Sequence, residues 1–124
     1  MVEALFPEVH RIVADADLDG LCAAAILQRA LPNTEVIFAH PALVRSGHLD
    51  DVIDHRTVIV DLPFHPSCGW YVDHHLTNRP DEATAATFKA AGGRLDWAAE
   101  PSAARVAHNL VAPVSDLAHL ATLK

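Results

Sequence analysis

The sequence predicts an α/β domain built on a doubly wound, mostly parallel sheet of about five strands, with helices on both faces. Three observations predict it. Short apolar runs, largely β-branched or aromatic, alternate with alanine-rich stretches of helical length. Those runs are too continuous for strands with one wet face, so they suit a sheet covered on both sides. The chain's 124 residues fit one domain, 1–124, and at that size folding buries roughly two-thirds of the unfolded surface.

Ile12-Val13-Ala14 reads as the first strand, and Leu21 to Ala30, closed by Pro32, as the helix that follows. Val36-Ile37-Phe38-Ala39 is the second strand, with a helix expected over Ala42 to Val52. Val58-Ile59-Val60 and Trp70-Tyr71-Val72 are the third and fourth, joined by the Pro-punctuated loop Leu62 to Gly69, too short for a helix. Glu82 to Ala91, stopped by Gly92-Gly93, is the next helix; Arg94 to Ala98 is the fifth strand, and Ser102 to Leu110 the last helix. Strand-helix alternation of this kind implies right-handed crossovers between parallel strands.

Composition narrows the class. A hydrophobic fraction of 51% is too high for a disordered chain. Asp15, Arg29 and Asp54 break the apolar runs well short of the ~18 residues of a membrane span. The start Met1-Val-Glu-Ala-Leu carries acid where a secretory signal carries base, so a cytoplasmic location is expected. Nine Lys and Arg against 16 Asp and Glu give a net charge of −7, which argues against a broad basic surface for duplex nucleic acid. Two divalent cations bound by some of those acids would add four positive charges where an anionic substrate sits. Cys22 and Cys68 have no CxxC spacing and are read as free thiols, Cys22 as a small residue packed against the preceding loop.

In open α/β sheets ligands bind beyond the carboxyl ends of the strands. There the chain places Asp15-Ala-Asp17-Leu-Asp19-Gly20 after strand one, Asp61 after strand three, and Asp73-His74-His75 after strand four. A lone Asp at a strand end is commonly a cap or turn former. Packing this many like charges at one edge, however, costs free energy unless cations neutralise them. Carboxylate and imidazole donors without thiolate suit Mn²⁺, Mg²⁺, Fe²⁺ or Co²⁺ better than structural zinc. Such a two-metal site lowers the pKa of a bound water and clamps the oxygens of a phosphoryl transfer. A calcium loop fails because its closing Glu position is Ile26. An aspartyl-phosphate phosphatase with Asp17 as nucleophile would leave Asp15, Asp61 and His74-His75 unused.

The three segments, in this order, resemble the first three motifs of the DHH phosphoesterases. That superfamily includes RecJ-type exonucleases, nano-RNases, cyclic dinucleotide phosphodiesterases, exopolyphosphatases and family II pyrophosphatases. The likeness runs from Arg11 to about Val111, with Pro101-Ser-Ala-Ala-Arg resembling the helix start that follows the third motif. It implies a hydrolase acting on a phosphodiester or phosphoanhydride through a hydroxide activated by two divalent ions, Mn²⁺ first, Mg²⁺ or Co²⁺ otherwise. Asp15, Asp17, Asp19, Asp61 and His74 would be the metal ligands, with Asp61 bridging. His75 would stabilise charge on the phosphate, and Asp73 would orient an imidazole from behind. The implied partner is a phosphate-containing substrate, such as a short nucleic acid or nucleotide, and no membrane.

The resemblance also implies a fourth-motif Asp and a small substrate-gripping domain, expected at about Lys124 and beyond. Asp116 is the one late candidate and reads better as a helix cap; Asp96, within strand five, is poorly placed. The alternative reading is therefore a metal- or nucleotide-binding module, or half of an assembly. Weaker candidates for substrate contact are His40, His65, Arg45, Arg79, Arg105 and His108.

Overall fold

A computed structural model describes residues 6–122, with side chains through residue 112. Strands β1 (Arg11–Asp15), β2 (Glu35–Ala39), β3 (Thr57–Val60), β4 (Trp70–Asp73) and β5 (Arg94–Trp97) form one sheet in the order β2-β1-β3-β4-β5. Every pairing is parallel. Helices α1 (Leu18–Ala30), α2 (Pro41–Arg45), α3 (Glu82–Ala90) and α4 (Ala103–Thr122) complete the fold.

The two-residue period of the strands divides the core into two layers. Ile12, Ala14, Val58, Val60, Trp70 and Val72 face one side and pack with Ala23, Ala24 and Leu27 of α1 and with Ala103, Val106 and Ala107 of α4. Val13, Ile59 and Tyr71 face the other and pack with Val44 of α2 and Phe88 of α3. Helices on both faces leave the strand interiors without solvent, which is why they read as unbroken apolar runs.

Three boundaries differ from the sequence expectation by more than one residue. Helix α1 starts at Leu18, three residues early, because Asp17 caps it by accepting the Gly20 amide at 2.7 Å. This puts Asp19 in the first helical turn. Helix α2 ends at Arg45 rather than Val52; Ser46 is its cap and Gly47, at φ +84°, takes the left-handed turn that stops it. The last helix continues past Leu110 to Thr122. Asp116 thus falls within a helix and not at its start, and its side chain lies outside the described residues. Among the described residues no helix is long and apolar enough to cross a membrane.

Gly20 is required where it stands. A Cβ there would meet the Asp15 carbonyl oxygen at 2.0 Å, so only glycine lets α1 approach the end of β1. Cys22 is not the residue that packs against the loop: it is exposed, and Gly20 makes that contact. Cys68 is buried, and both thiols are free.

Candidate metal and phosphate site

Parallel register brings the ends of β1, β3 and β4 to one edge. Val60 pairs with Ala14 and with Val72, so Asp15, Asp61 and Asp73 end adjacent strands at the same level. Asp61 continues from β3 with its amide on the Val72 carbonyl (3.1 Å) and a backbone φ of 63°. This left-handed conformation costs a non-glycine residue about 1 kcal/mol, and Asp and Asn tolerate it best. Strain of this kind persists only where the surroundings enforce it.

Asp61 is the common member of two donor groups. One oxygen each from Asp15, Asp17 and Asp61 lie within 4.8 Å of one another. On the other side, His74 Nε2 stands 3.4 Å from Asp19 Oδ2 and 3.5 Å from Asp61 Oδ1. His74 Nδ1 donates to the Glu100 carbonyl at 3.1 Å, so in the neutral ring, the form that can ligate a cation, Nε2 carries its lone pair toward the acids. Asp61 Oδ1 and His74 Nε2 are both buried without a hydrogen-bond partner. Buried polar atoms are normally satisfied, and each orphan costs roughly 1–3 kcal/mol.

The electrostatics agree with the geometry. Burial pushes the Asp61 carboxyl up to about 8, helped by the neighbouring charges of Asp19, Asp17 and Asp73. Burial, then Asp17, raises Asp15 above the ordinary carboxylate range. Both shifts report sites that disfavour negative charge while no cation is present, the condition a divalent cation removes. The residues present therefore fit such a cation: hard oxygen donors, one imidazole with its lone pair aimed inward, and two unpartnered atoms facing each other.

Asp19 has a second role that spacing did not reveal. Its two oxygens accept the Ala103 and Ala104 amides of α4, each at 2.9 Å. The carboxylate thereby satisfies orphan donors at the positive end of a helix 84 residues away in sequence. One side chain of α1 thus ties the site to α4.

Behind the edge, Asp73 is fully buried. Its Oδ1 lies 2.9 Å from His75 Nδ1, while Oδ2 accepts from Asn78 Nδ2 at 3.1 Å and from the Tyr71 hydroxyl at 3.0 Å, whose proton is shared with the Leu62 carbonyl at 2.7 Å. Burial, followed by the Asp73 charge, raises the Tyr71 phenol well above its usual range, so it remains a donor. His75 is the half-exposed member of the His74–His75 pair, whose rings lie 4.2 Å apart. With Nδ1 turned to Asp73, its Nε2 is the nitrogen left to face a ligand. Tyr71, Asn78 and the Glu100 carbonyl are supports that sequence reasoning missed; Asn78, three residues after His75, was the one with a local signal.

The weaker candidates are placed as follows. His40 caps α2, its Nδ1 accepting the Ala42 amide at 3.2 Å. His65 Nε2 is 2.8 Å from Asp50, pinning the loop before β4 to the turns after α2. Asp96 binds Trp70 Nε1 and Arg94 Nε, both at 2.7 Å, and takes no part in the site. Arg45 lies exposed at the end of α2, and Arg105 and His108 are exposed on α4. Arg79 lies over the Trp97 ring, 4.6 Å from its centroid.

No protein-family model and no curated protein matches the chain. Among solved structures it is similar to the pGpG-specific phosphodiesterase PggH from Vibrio cholerae, with a TM-score of 0.57 and 26% sequence identity. The similarity covers 81% of this chain and 29% of that one, so the chain spans under a third of that protein's length.

Proposed function

We propose that this domain is the core of a metal-dependent DHH-type phosphoesterase that hydrolyses a phosphodiester or phosphoanhydride of the oligonucleotide, cyclic dinucleotide or polyphosphate class. The observation that carries the reading is the buried pair Asp61 Oδ1 and His74 Nε2, unpartnered and 3.5 Å apart inside a ring of carboxylates. The likeness to a phosphodiesterase supports it.

Asp15, Asp17 and Asp61 would hold one divalent cation, and Asp19, Asp61 and His74 a second, Mn²⁺ being the best match to the donors. When bound, the ions supply neutralisation of phosphate charge and a water of lowered pKa. The chain's own groups do the rest. Asp61, common to both donor sets, would serve them from a backbone that the end of β3 holds in one conformation. The Glu100 carbonyl keeps His74 in the tautomer that offers Nε2. Asp73, fixed by Tyr71 and Asn78, accepts the Nδ1–H of His75 and aims Nε2 outward; with the ring in its doubly protonated form, Nε2–H donates to a phosphate oxygen as negative charge develops. Leu62 and Val72, each next in sequence to a site carboxylate, are fully buried.

The test is hydrolysis of short oligonucleotides, a cyclic dinucleotide and pyrophosphate by the purified chain with Mn²⁺. The expected result is turnover of at least one substrate, lost on chelation and reduced at least about 10³-fold in Asp61→Ala, the scale of losing a principal electrostatic group. Activity that survives Asp61→Ala would sink the mechanism.

A further inference from the structure

A groove of about 870 Å³ opens beside the site on the α3 side, lined in part by Leu76, Arg79, Lys89 and Trp97. Two of its lining residues adjoin His75. Leu76 follows His75 directly and is three-quarters exposed, and Trp97 Nε1 donates to the His75 carbonyl at 2.8 Å. Trp97 ends β5 in register with Asp73, so its ring stands one strand beyond the proposed catalytic edge. Arg79 lies over that ring at 4.6 Å, and among the described residues no carboxylate lies within ion-pair distance of its guanidinium. Of the two acids in the groove, Asp81 is committed to capping α3 through the Thr84 amide at 2.7 Å; Glu82, like Lys89, lines the groove.

We propose that this groove is a nucleobase subsite. It rests on the phosphoesterase reading, because it needs the scissile phosphate to lie at His75. One nucleoside of a linear dinucleotide then extends over Leu76, and its base stacks on the Arg79–Trp97 platform. An arginine plane already seated on an indole offers a flat cationic surface to any base, while its edge donors and Lys89 meet the next phosphate. The volume is in the range of small-ligand sites. The chemistry selects a base and a second phosphate together, which inorganic polyphosphate lacks.

The test compares the wild type with Arg79→Ala, Lys89→Gln and Trp97→Phe. Calorimetry would use a phosphorothioate-linked, 5′-phosphorylated dinucleotide, and kinetics the ordinary dinucleotide and methyl p-nitrophenyl phosphate, all with Mn²⁺. Arg79→Ala is expected to weaken dinucleotide binding about tenfold, the scale of one lost base stack, and to lower by the same factor the ratio of kcat/KM for the dinucleotide over the small ester. Lys89→Gln lowers that ratio less. Trp97→Phe keeps a ring under the arginine, and so keeps most of the affinity. An unchanged ratio in Arg79→Ala, whether because neither substrate or both are affected alike, overturns the groove. Dinucleotide binding that Arg79→Ala weakens, in a protein that hydrolyses nothing, upholds the groove and contradicts only the catalytic reading.

Discussion

The middle of the sheet and its carboxyl edge belong to the same three strands, one residue apart, and follow opposite rules. Residues 12–14, 58–60 and 70–72 are completely buried, and all are apolar apart from the Tyr71 hydroxyl and the Trp70 indole N–H, which are hydrogen-bonded. One step further, Asp15, Asp61 and Asp73 gather charge, a left-handed backbone and two unpartnered buried atoms. The middle is what makes the edge possible. A packed two-sided core can hold side chains in an arrangement that dissipates stability, and stored electrostatic strain of that kind marks functional sites more often than structural ones.

If the contrast is real, mutations on its two sides must separate stability from function. The largest effect on stability is expected in the middle. Ile59→Ala, two residues before Asp61, removes a fully buried side chain from the α2/α3 layer and should cost about 2–5 kcal/mol in chemical denaturation. A cost near zero would mean that the layer is not packed as described.

Asp73→Asn is the intermediate case, since it retains the shape of a buried residue and disturbs chiefly the support of His75. The expected loss is about 10–100-fold in kcat, the range for a partner that orients a functional imidazole, with KM little changed. A loss confined to KM would place Asp73 in substrate binding instead.

The third effect is the pH dependence of the metal-free protein. Asp61 holds its proton to about 8 in the native state, whereas in the unfolded chain it releases it near the ordinary carboxylate value. Between those values the native state binds the extra proton, so this residue's contribution to stability falls as pH rises from about 4 to about 8 and is level outside that window. Subtracting the denaturation profile of Asp61→Asn isolates it. A difference that grows more stabilising with pH would contradict the environment assigned to Asp61.

The same contrast decides what could be read from the sequence. The strands and the gathering of acids at one edge were legible because each signal is local: an apolar run of strand length, then a carboxylate. The early start of α1 and the early end of α2 also had local causes, in Asp17 as a cap and in Gly47 at a positive φ. Contacts that depend on tertiary placement were not legible. Asp19 meets the α4 amides across 84 residues, and His74 finds the Glu100 carbonyl across 26. Arg79 was a candidate for substrate contact in the sequence, but its pairing with Trp97 was not legible, since their meeting depends on how β5 lies beside β4.

The central claim is that the carboxyl edge is destabilised in the absence of a cation and relieved by one. It is tested most directly by thermal unfolding of the wild type and Asp61→Asn, each in chelator and with Mn²⁺. Asn removes the buried carboxyl, whose retention in the native state costs more stability as pH rises toward 8, and accepts the positive φ at least as readily as Asp. The account predicts that Asp61→Asn melts higher than the wild type in chelator, and that Mn²⁺ raises the melting temperature of the wild type but not of the variant. A variant that melts lower in chelator, or that gains as much from Mn²⁺ as the wild type, would contradict it.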